Sequence, residues 1–357
     1  MKLLRLTPAL KATSSSYNQF SLGFKKAIEQ TVGSLQKHQV QIDDNITVFH
    51  GDGSAYKLFK QIRKFINRNN YDVIHIHNSS TGIIFLFAIF PFKLKLLNKT
   101  IFTLHNSWNV FKPRNQFLNI ILMLLSHKVC TCGKSSHESL PTILKYFIYK
   151  KTNAIINGFD HERIDRVSNK KSREIHFDES AKVKILYIGS LINIKNQIAF
   201  LEVLNLLDIE AEIIFLGEGI NKKSLIEFSK KISNSIKISF KGLVSREIAI
   251  EHMLEADVYI SLSKGEGLPI AALEAMYSGC FMILSKIPPH KEISPPTERC
   301  LYVDIENTQE IINSLKYVIN NIEELKNKRE VSKNYSISNF SVKKMLDDYQ
   351  NVYDSLC

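Results

Sequence analysis

The stretch Ser263-Lys-Gly-Glu-Gly-Leu-Pro-Ile-Ala-Ala-Leu-Glu-Ala-Met276 decides the reading of this chain. It follows a strand-like run, Asp257-Val-Tyr-Ile-Ser-Leu262, and it opens a helix. Gly265 and Gly267 carry no Cβ, so a ligand can approach the backbone closely there. Pro269 stands where a first helical residue is expected, because the helix has no use for the N–H that proline lacks. The free main-chain donors from Gly267 through Leu268 to Ile270, at the positive end of the helix dipole, form an anion site. Glu266 in the loop and Glu274 about one and a half turns into the helix frame it with carboxylates that accept hydrogen bonds from hydroxyls. Donors for a diphosphate beside acceptors for hydroxyls suit a nucleotide-sugar.

Working outward, strand-like and helix-like stretches alternate along the whole chain, the pattern of parallel sheets covered by helices. In the first half, strands are expected at residues 2–6, 45–49, 73–77, 100–104 and 128–132, with helices over 20–37, 56–67, 82–90 and 117–125 between them. A charged stretch at 163–181 reads as an interdomain linker. The pattern restarts with strands at 183–188, 212–216, 236–240, 258–262 and 281–284, and the chain is helical from about residue 306. The expected division is a first domain over 1–165, a second over 166–335 and a C-terminal helix over 336–357 that returns to the first.

With 357 residues the chain can bury two such cores. Residues 1–165 hold 22 Lys+Arg against 9 Asp+Glu, so all of the +12 net charge lies in the first half. A phosphorylated acceptor, an anionic membrane surface or nucleic acid would be attracted there. No aromatic-studded basic motif accompanies the charge, which disfavours nucleic acid. The five scattered cysteines form no disulfide framework or metal set and read as reduced thiols. The run Met1–Leu6 is too short for a signal, and Ile83–Phe92 is too short to span a bilayer. The expected location is the cytoplasm, with the inner membrane face as a peripheral site.

Other positions add to the first motif. Gly189 closes the strand 183–188, and Lys195 begins the next helix, from which an ammonium can reach a diphosphate. Leu216-Gly-Glu-Gly219 and Lys241-Gly-Leu-Val244 are glycine turns at strand ends in the same half. His105 closes the strand 100–104, while His75 and His77 share one strand face without the further ligands that a metal site needs.

The Glu266…Glu274 stretch resembles the E-x7-E motif of retaining GT-B glycosyltransferases, glycosyltransferase family 4 in particular. The resemblance spans essentially the full length and is strongest over 183–293. It implies an α/β GT-B fold, two Rossmann-like domains whose parallel sheets face a central cleft, the second holding the nucleotide-sugar and the first the acceptor. It implies Glu266 and His105 as catalytic, against the donor sugar, and Glu274 on the ribose hydroxyls. Gly189, Ser190 and Lys195 align with the phosphate clamp, Gly242 and Leu243 with the turn at the base, and Gly267, Leu268, Pro269 and Ile270 with the phosphate-binding helix start. The family's clamp has arginine where Ser190 stands and glycine where Asn196 stands, and its N-terminal Gly-Gly loop is replaced by Ser14–Gln19. Asn157-Gly-Phe-Asp160 resembles the segment before its interdomain hinge.

The implied reaction is hexosyl transfer, with retention and without a metal or other cofactor, from a UDP-sugar to a glycan or polyprenyl-linked hydroxyl in surface polysaccharide assembly. A UDP-sugar epimerase on the same fold and a non-catalytic nucleotide-sugar binder are the alternatives.

Overall fold

A computed structural model describes residues 1–11, 29–40, 42, 44–171, 183–293, 295–327 and 329–357. The chain divides into two compact units, one formed by Met1–Asn157 with Val342–Cys357, the other by Gly158–Ser341.

The first unit is built on a seven-stranded parallel sheet. Its strands are β1 (Lys2–Thr7), β2 (Glu29–Ser34), β3 (Ile46–His50), β4 (Val73–Ile76), β5 (Thr100–Leu104), β6 (Lys128–Thr131) and β7 (Thr152–Ala154), in the order β3-β2-β1-β4-β5-β6-β7. Helices α1 (Ala55–Arg68), α2 (Ser79–Ile89), α3 (Pro113–Leu125), α4 (Lys134–Glu138) and α5 (Thr142–Ile148) link the strands from β3 onward. In α1 the Ser54 hydroxyl caps the first turn by accepting from Lys57 N–H at 3.3 Å. Leu58, Ile62 and Ile66, four apart, bury its inner face.

The second unit opens with α6 (His161–Lys171) and carries a six-stranded parallel sheet. Its strands are β8 (Val183–Ile188), β9 (Ala211–Leu216), β10 (Ile236–Gly242), β11 (Val258–Ser261), β12 (Phe281–Ser285) and β13 (Cys300–Val303), in the order β10-β9-β8-β11-β12-β13. Between and after them run α7 (Gln197–Leu204), α8 (Lys222–Ser229), α9 (Arg246–Glu255), α10 (Ile270–Tyr277), α11 (Pro288–Glu292), α12 (Thr308–Asn320), α13 (Ile322–Lys326) and α14 (Arg329–Phe340). Helix α15 (Val342–Asp354) belongs to the first unit, where Met345, Tyr349 and Tyr353 pack with Leu3, Val73, Ile101 and Cys130. Each sheet therefore has the doubly wound α/β order, which reverses beside its first strand and opens a ligand crevice at the strand ends there.

Four expectations need correction. Residues 29–34, expected within a helix, form β2 between β1 and β3, because two neighbouring strands offer its backbone a ladder on both sides; the remainder of that expected helix from 20 to 28, and the loop Ser14–Gln19, lie outside the described residues. Residues 163–171 are not linker but part of α6, whose Ile164 and Val167 bury one stripe; the rest of that stretch, 172–181, is likewise outside the described residues. The division between units falls at 157/158 and 341/342 rather than after 165 and 335, since α6 and α14 both pack on α10 within the second unit. Strand β13 was not foreseen; its four residues lie at the sheet edge beside β12.

Phe159 N–H donates to the Phe340 carbonyl at 2.9 Å, and Phe159 bridges Ser341, so the chain enters and leaves the second unit side by side.

Candidate active site

The loops after β8, β9, β10 and β11 are stitched into one rim at the strand ends of the second unit. Gly189 N–H donates to Leu216 O at 2.9 Å, Leu191 N–H to Glu218 O at 2.9 Å, Gly217 N–H to Gly242 O at 2.8 Å and Lys264 N–H to Ile194 O at 2.8 Å. The approach is close enough to require glycine. A Cβ on Gly217 would lie 2.0 Å from the Gly189 carbonyl oxygen, and Gly217 has a φ of +142°. Gly242, at φ +74°, faces the Glu218 carboxylate, which pairs with Lys222 at 2.5 Å; Leu243 beside it is exposed.

The loop from Gly189 runs through exposed Ser190 and a short turn to Lys195 and then enters α7. Asn196, where the family has glycine, takes the left-handed conformation at φ +55°. Asparagine is among the few side chains that tolerate this geometry, so the departure preserves the backbone path. The Lys195 chain lies over Gly189, its Cδ and Cε 3.6 Å from where a Cβ would stand. Tyr187, buried at the end of β8, fixes this turn to the end of β11: its hydroxyl accepts from Leu262 N–H at 3.0 Å and donates to the Lys195 carbonyl.

Lys195 and Glu266 meet directly, Nζ to Oε1 at 2.5 Å. The same oxygen accepts from Ser263 Oγ at 2.7 Å. Behind it, Ser285 Oγ donates to Ser263 O at 2.6 Å and therefore accepts from His290 Nδ1 at 2.9 Å, which places the ring proton on Nδ1. His290 is fully buried, its Nε2 has no hydrogen-bond partner, and burial pushes its pKa down to about 4. The loop Gly265–Pro269 leads into α10 with Pro269 as the cap residue, one position before the first helical residue Ile270. No side chain caps this end, so its first N–H groups are not taken up by a capping side chain.

Glu274, 1% exposed on α10, receives Arg246 in a forked pair: Arg246 Nε donates to Oε1 at 2.9 Å, and the second guanidinium nitrogen reaches Oε2. Burial pushes the Glu274 carboxyl up, and Arg246 beside it pulls it back. The hydrogen bond goes to Oε1 alone and Oε2 has only the ion pair, so Arg246 orients the carboxylate without using up its acceptor capacity. Arg246 begins α9, whose Ser245 caps it through Ile248 N–H at 3.3 Å, and its neighbour Glu247 is held by Arg163 of α6. Sequence reading missed Arg246; an arginine just after a helix-capping serine, following a glycine turn already assigned to the nucleotide, was the available signal.

His105 belongs to the first unit, at the end of β5. Its Nε2 lies 3.1 Å from His77 Nδ1, the two rings stack, and burial with Arg5 nearby brings its pKa down to about 4. His75 hydrogen-bonds the Tyr353 hydroxyl and Thr103 Oγ1, both at 2.7 Å, and buried Arg5 donates to Tyr353 at 3.2 Å. His75 is thus a structural link between β4, β5 and α15. Among the described residues no group of three or more His, Cys, Asp or Glu could hold a metal ion.

The geometry can be set beside known proteins. Residues 168–336 match the family model for glycosyl transferases group 1. That match falls wholly within the second unit. Among curated relatives, the capsular polysaccharide biosynthesis glycosyltransferase CapH of Staphylococcus aureus is 27% identical over 70% of this chain and 69% of its own length. The O-antigen biosynthesis glycosyltransferase WclY of Escherichia coli is 23% identical over 90% and 91%. Among solved structures, Anabaena Alr3699/HepE in complex with UDP and glucose superposes with a TM-score of 0.80 at 15% identity, over 99% of this chain and all of its own. The sucrose-phosphate synthase of Thermosynechococcus elongatus gives 0.79 at 12% identity, over 100% and 99%. The chain thus has an α/β GT-B architecture, two Rossmann-like units with parallel sheets.

Proposed function

We infer that this chain transfers a hexosyl unit from a UDP-sugar to a hydroxyl of a glycan or polyprenyl-linked acceptor, with retention at the anomeric carbon, in surface polysaccharide assembly. The observation that carries the reading is the pairing of Lys195 with Glu266 on the rim of the second unit, beside the start of α10 and at the sheet's reversal point. The CapH and WclY relatives support the polysaccharide setting, and the UDP-bound neighbour supports the nucleotide.

In this reading the main-chain donors of Gly267, Leu268 and Ile270 hold the diphosphate, and proline at 269 keeps that approach to the helix narrow. Gly189 and Ser190 give it backbone access. Lys195 turns from Glu266 to the β-phosphate, and the released Glu266 carboxylate takes hydroxyls of the donor sugar. Gly242 and Leu243 meet the base. Glu274, aimed by Arg246, reads the ribose hydroxyls. The bond from the anomeric carbon to the β-phosphate oxygen breaks while the acceptor oxygen attacks from the same face. The acceptor proton passes to the departing phosphate oxygen, and UDP leaves. Negative charge builds on the diphosphate during this step, and fixed dipoles and Lys195 stabilise it without reorganisation and without a metal. His105, neutral at pH 7, is in this reading a hydrogen-bonding group for the substrate.

A donor screen detecting UDP release, with and without a lipid-linked oligosaccharide, tests this directly. Acceptor-dependent release supports transfer. Conversion of the sugar without acceptor would show an epimerase instead, and nucleotide binding without either would leave a binder.

A further inference from the structure

More than half of the large apolar side chains exposed among the described residues lie on three neighbouring helices of the first unit and the turns that follow them. Helix α2 ends in exposed Phe87 and Phe90, and the next turn adds Phe92, 84% exposed. Helix α3, packed beside α2, ends in exposed Leu124 and Leu125. Helix α5, packed beside α3, shows Tyr146 at 74% and Phe147, with Tyr149 just beyond its end. Lys151 ties that end to α3 by donating to the carbonyls of Leu124 and Ser126 at 2.7 and 2.8 Å. In a parallel sheet each crossover helix ends where the next strand begins, so the apolar ends of all three helices collect along the edge where β5, β6 and β7 start. His105 stands at the opposite, strand-end edge of the same sheet.

The charge on this segment is one-sided. From residue 73 to residue 159 the chain has ten Lys and Arg and a single acid, Glu138. Lys95 and Lys150, in the turns that follow α2 and α5, are exposed. Exposed apolar side chains at this density mark an interaction surface, and aromatic side chains on a segment so rich in lysine match the boundary between headgroups and acyl chains of an anionic bilayer. No helix among the described residues is long and apolar enough to cross a membrane, so contact through this face would be interfacial.

We propose that the face formed by α2, α3 and α5 docks the protein onto an anionic lipid bilayer, with Phe90, Phe92 and Phe147 entering the interface and the surrounding lysines meeting the headgroups. This deepens the reading of a polyprenyl-linked acceptor by naming the surface on which the protein works.

The test is co-sedimentation of the full chain with vesicles of phosphatidylcholine alone and of phosphatidylcholine with about a third phosphatidylglycerol. Expected are binding to the anionic vesicles only, weakening with salt, and at least a tenfold loss of affinity in Phe92→Ser/Phe147→Ser and in Lys95→Glu/Lys150→Glu. All four positions are solvent-facing, so both variants should keep the wild-type circular dichroism and the wild-type rate of UDP release in solution with a soluble acceptor. Absence of binding, equal binding to neutral vesicles, or variants that bind like the wild type would overturn the proposal. So would a wild-type dimer in sedimentation velocity that Phe92→Ser/Phe147→Ser disperses, since the face would then serve a second copy. UDP release measured on the same samples separates failure of docking from failure of the catalytic reading.

Discussion

At the scale of single residues, Glu266 and Glu274 do different work. Glu266 keeps a partner that can leave it, a lysine on a flexible stem, and in the proposed reaction it exchanges that ion pair for a sugar. Replacing Glu266 with Ala should lower turnover by two or more orders of magnitude with little change in Tm, read by UDP release and thermal melting. Glu274 is fixed by a planar fork inside the protein. Removing one member of such a buried pair strands the other, at about 3–5 kcal/mol. Arg246→Lys keeps the charge and loses the fork, which makes it the more informative change. It should raise KM for the donor more than it lowers kcat, and it should erode the preference for a UDP-sugar over its 2′-deoxyuridine analogue. An unchanged preference would mean that Arg246 does not aim Glu274 at the ribose.

At the scale of elements, the rim depends on how closely its turns approach one another. Ala at Gly217 would push against the Gly189 carbonyl, and its left-handed backbone adds strain, for an expected loss of about 2 kcal/mol or more in urea unfolding. Gly53 is the control: its φ is +80° but no atom lies within 4 Å of a Cβ there, so Ala should cost about 1 kcal/mol. Equal losses at the two positions would show that the close turn packing is not what makes Gly217 necessary. The same elements show what a sequence displays. The turns after β8, β9, β10 and β11 were legible because each couples a β-branched run to glycine at a strand end. Strand β2 was not, since its Gln-Thr-Val-Gly core has no strong alternation and is a strand only because β1 and β3 flank it. Arg246 differs: its place after a capping serine was a local signal, but its contact with Glu274, 28 positions away, was not encoded by any local pattern. Lys195 and Glu266 were each legible as candidate site residues, but their direct pairing was not.

At the scale of the whole molecule, buried histidines make stability depend on pH. Burial holds His290 and His105 at about 4, and pushes His75 and His77 well below their ordinary value. Each binds a proton readily only when unfolded, near pH 6.5, so their contribution is complete above that pH and is lost as pH falls toward the folded value. Near pH 5, each such histidine should remove about 1 kcal/mol of stability per pH unit. Tm should therefore drop steadily between pH 7 and pH 5, and His290→Asn should flatten that slope; an unchanged slope would mean the histidine is not held neutral. The central claim concerns the donor pocket of the second unit, and a crystal structure of the protein soaked with UDP tests it most directly. The account predicts the diphosphate over the N–H groups of Gly267–Ile270 with Lys195 swung onto it, and the ribose hydroxyls on Glu274. UDP bound elsewhere on the chain, or at this rim with Glu274 out of reach of the ribose, would contradict it.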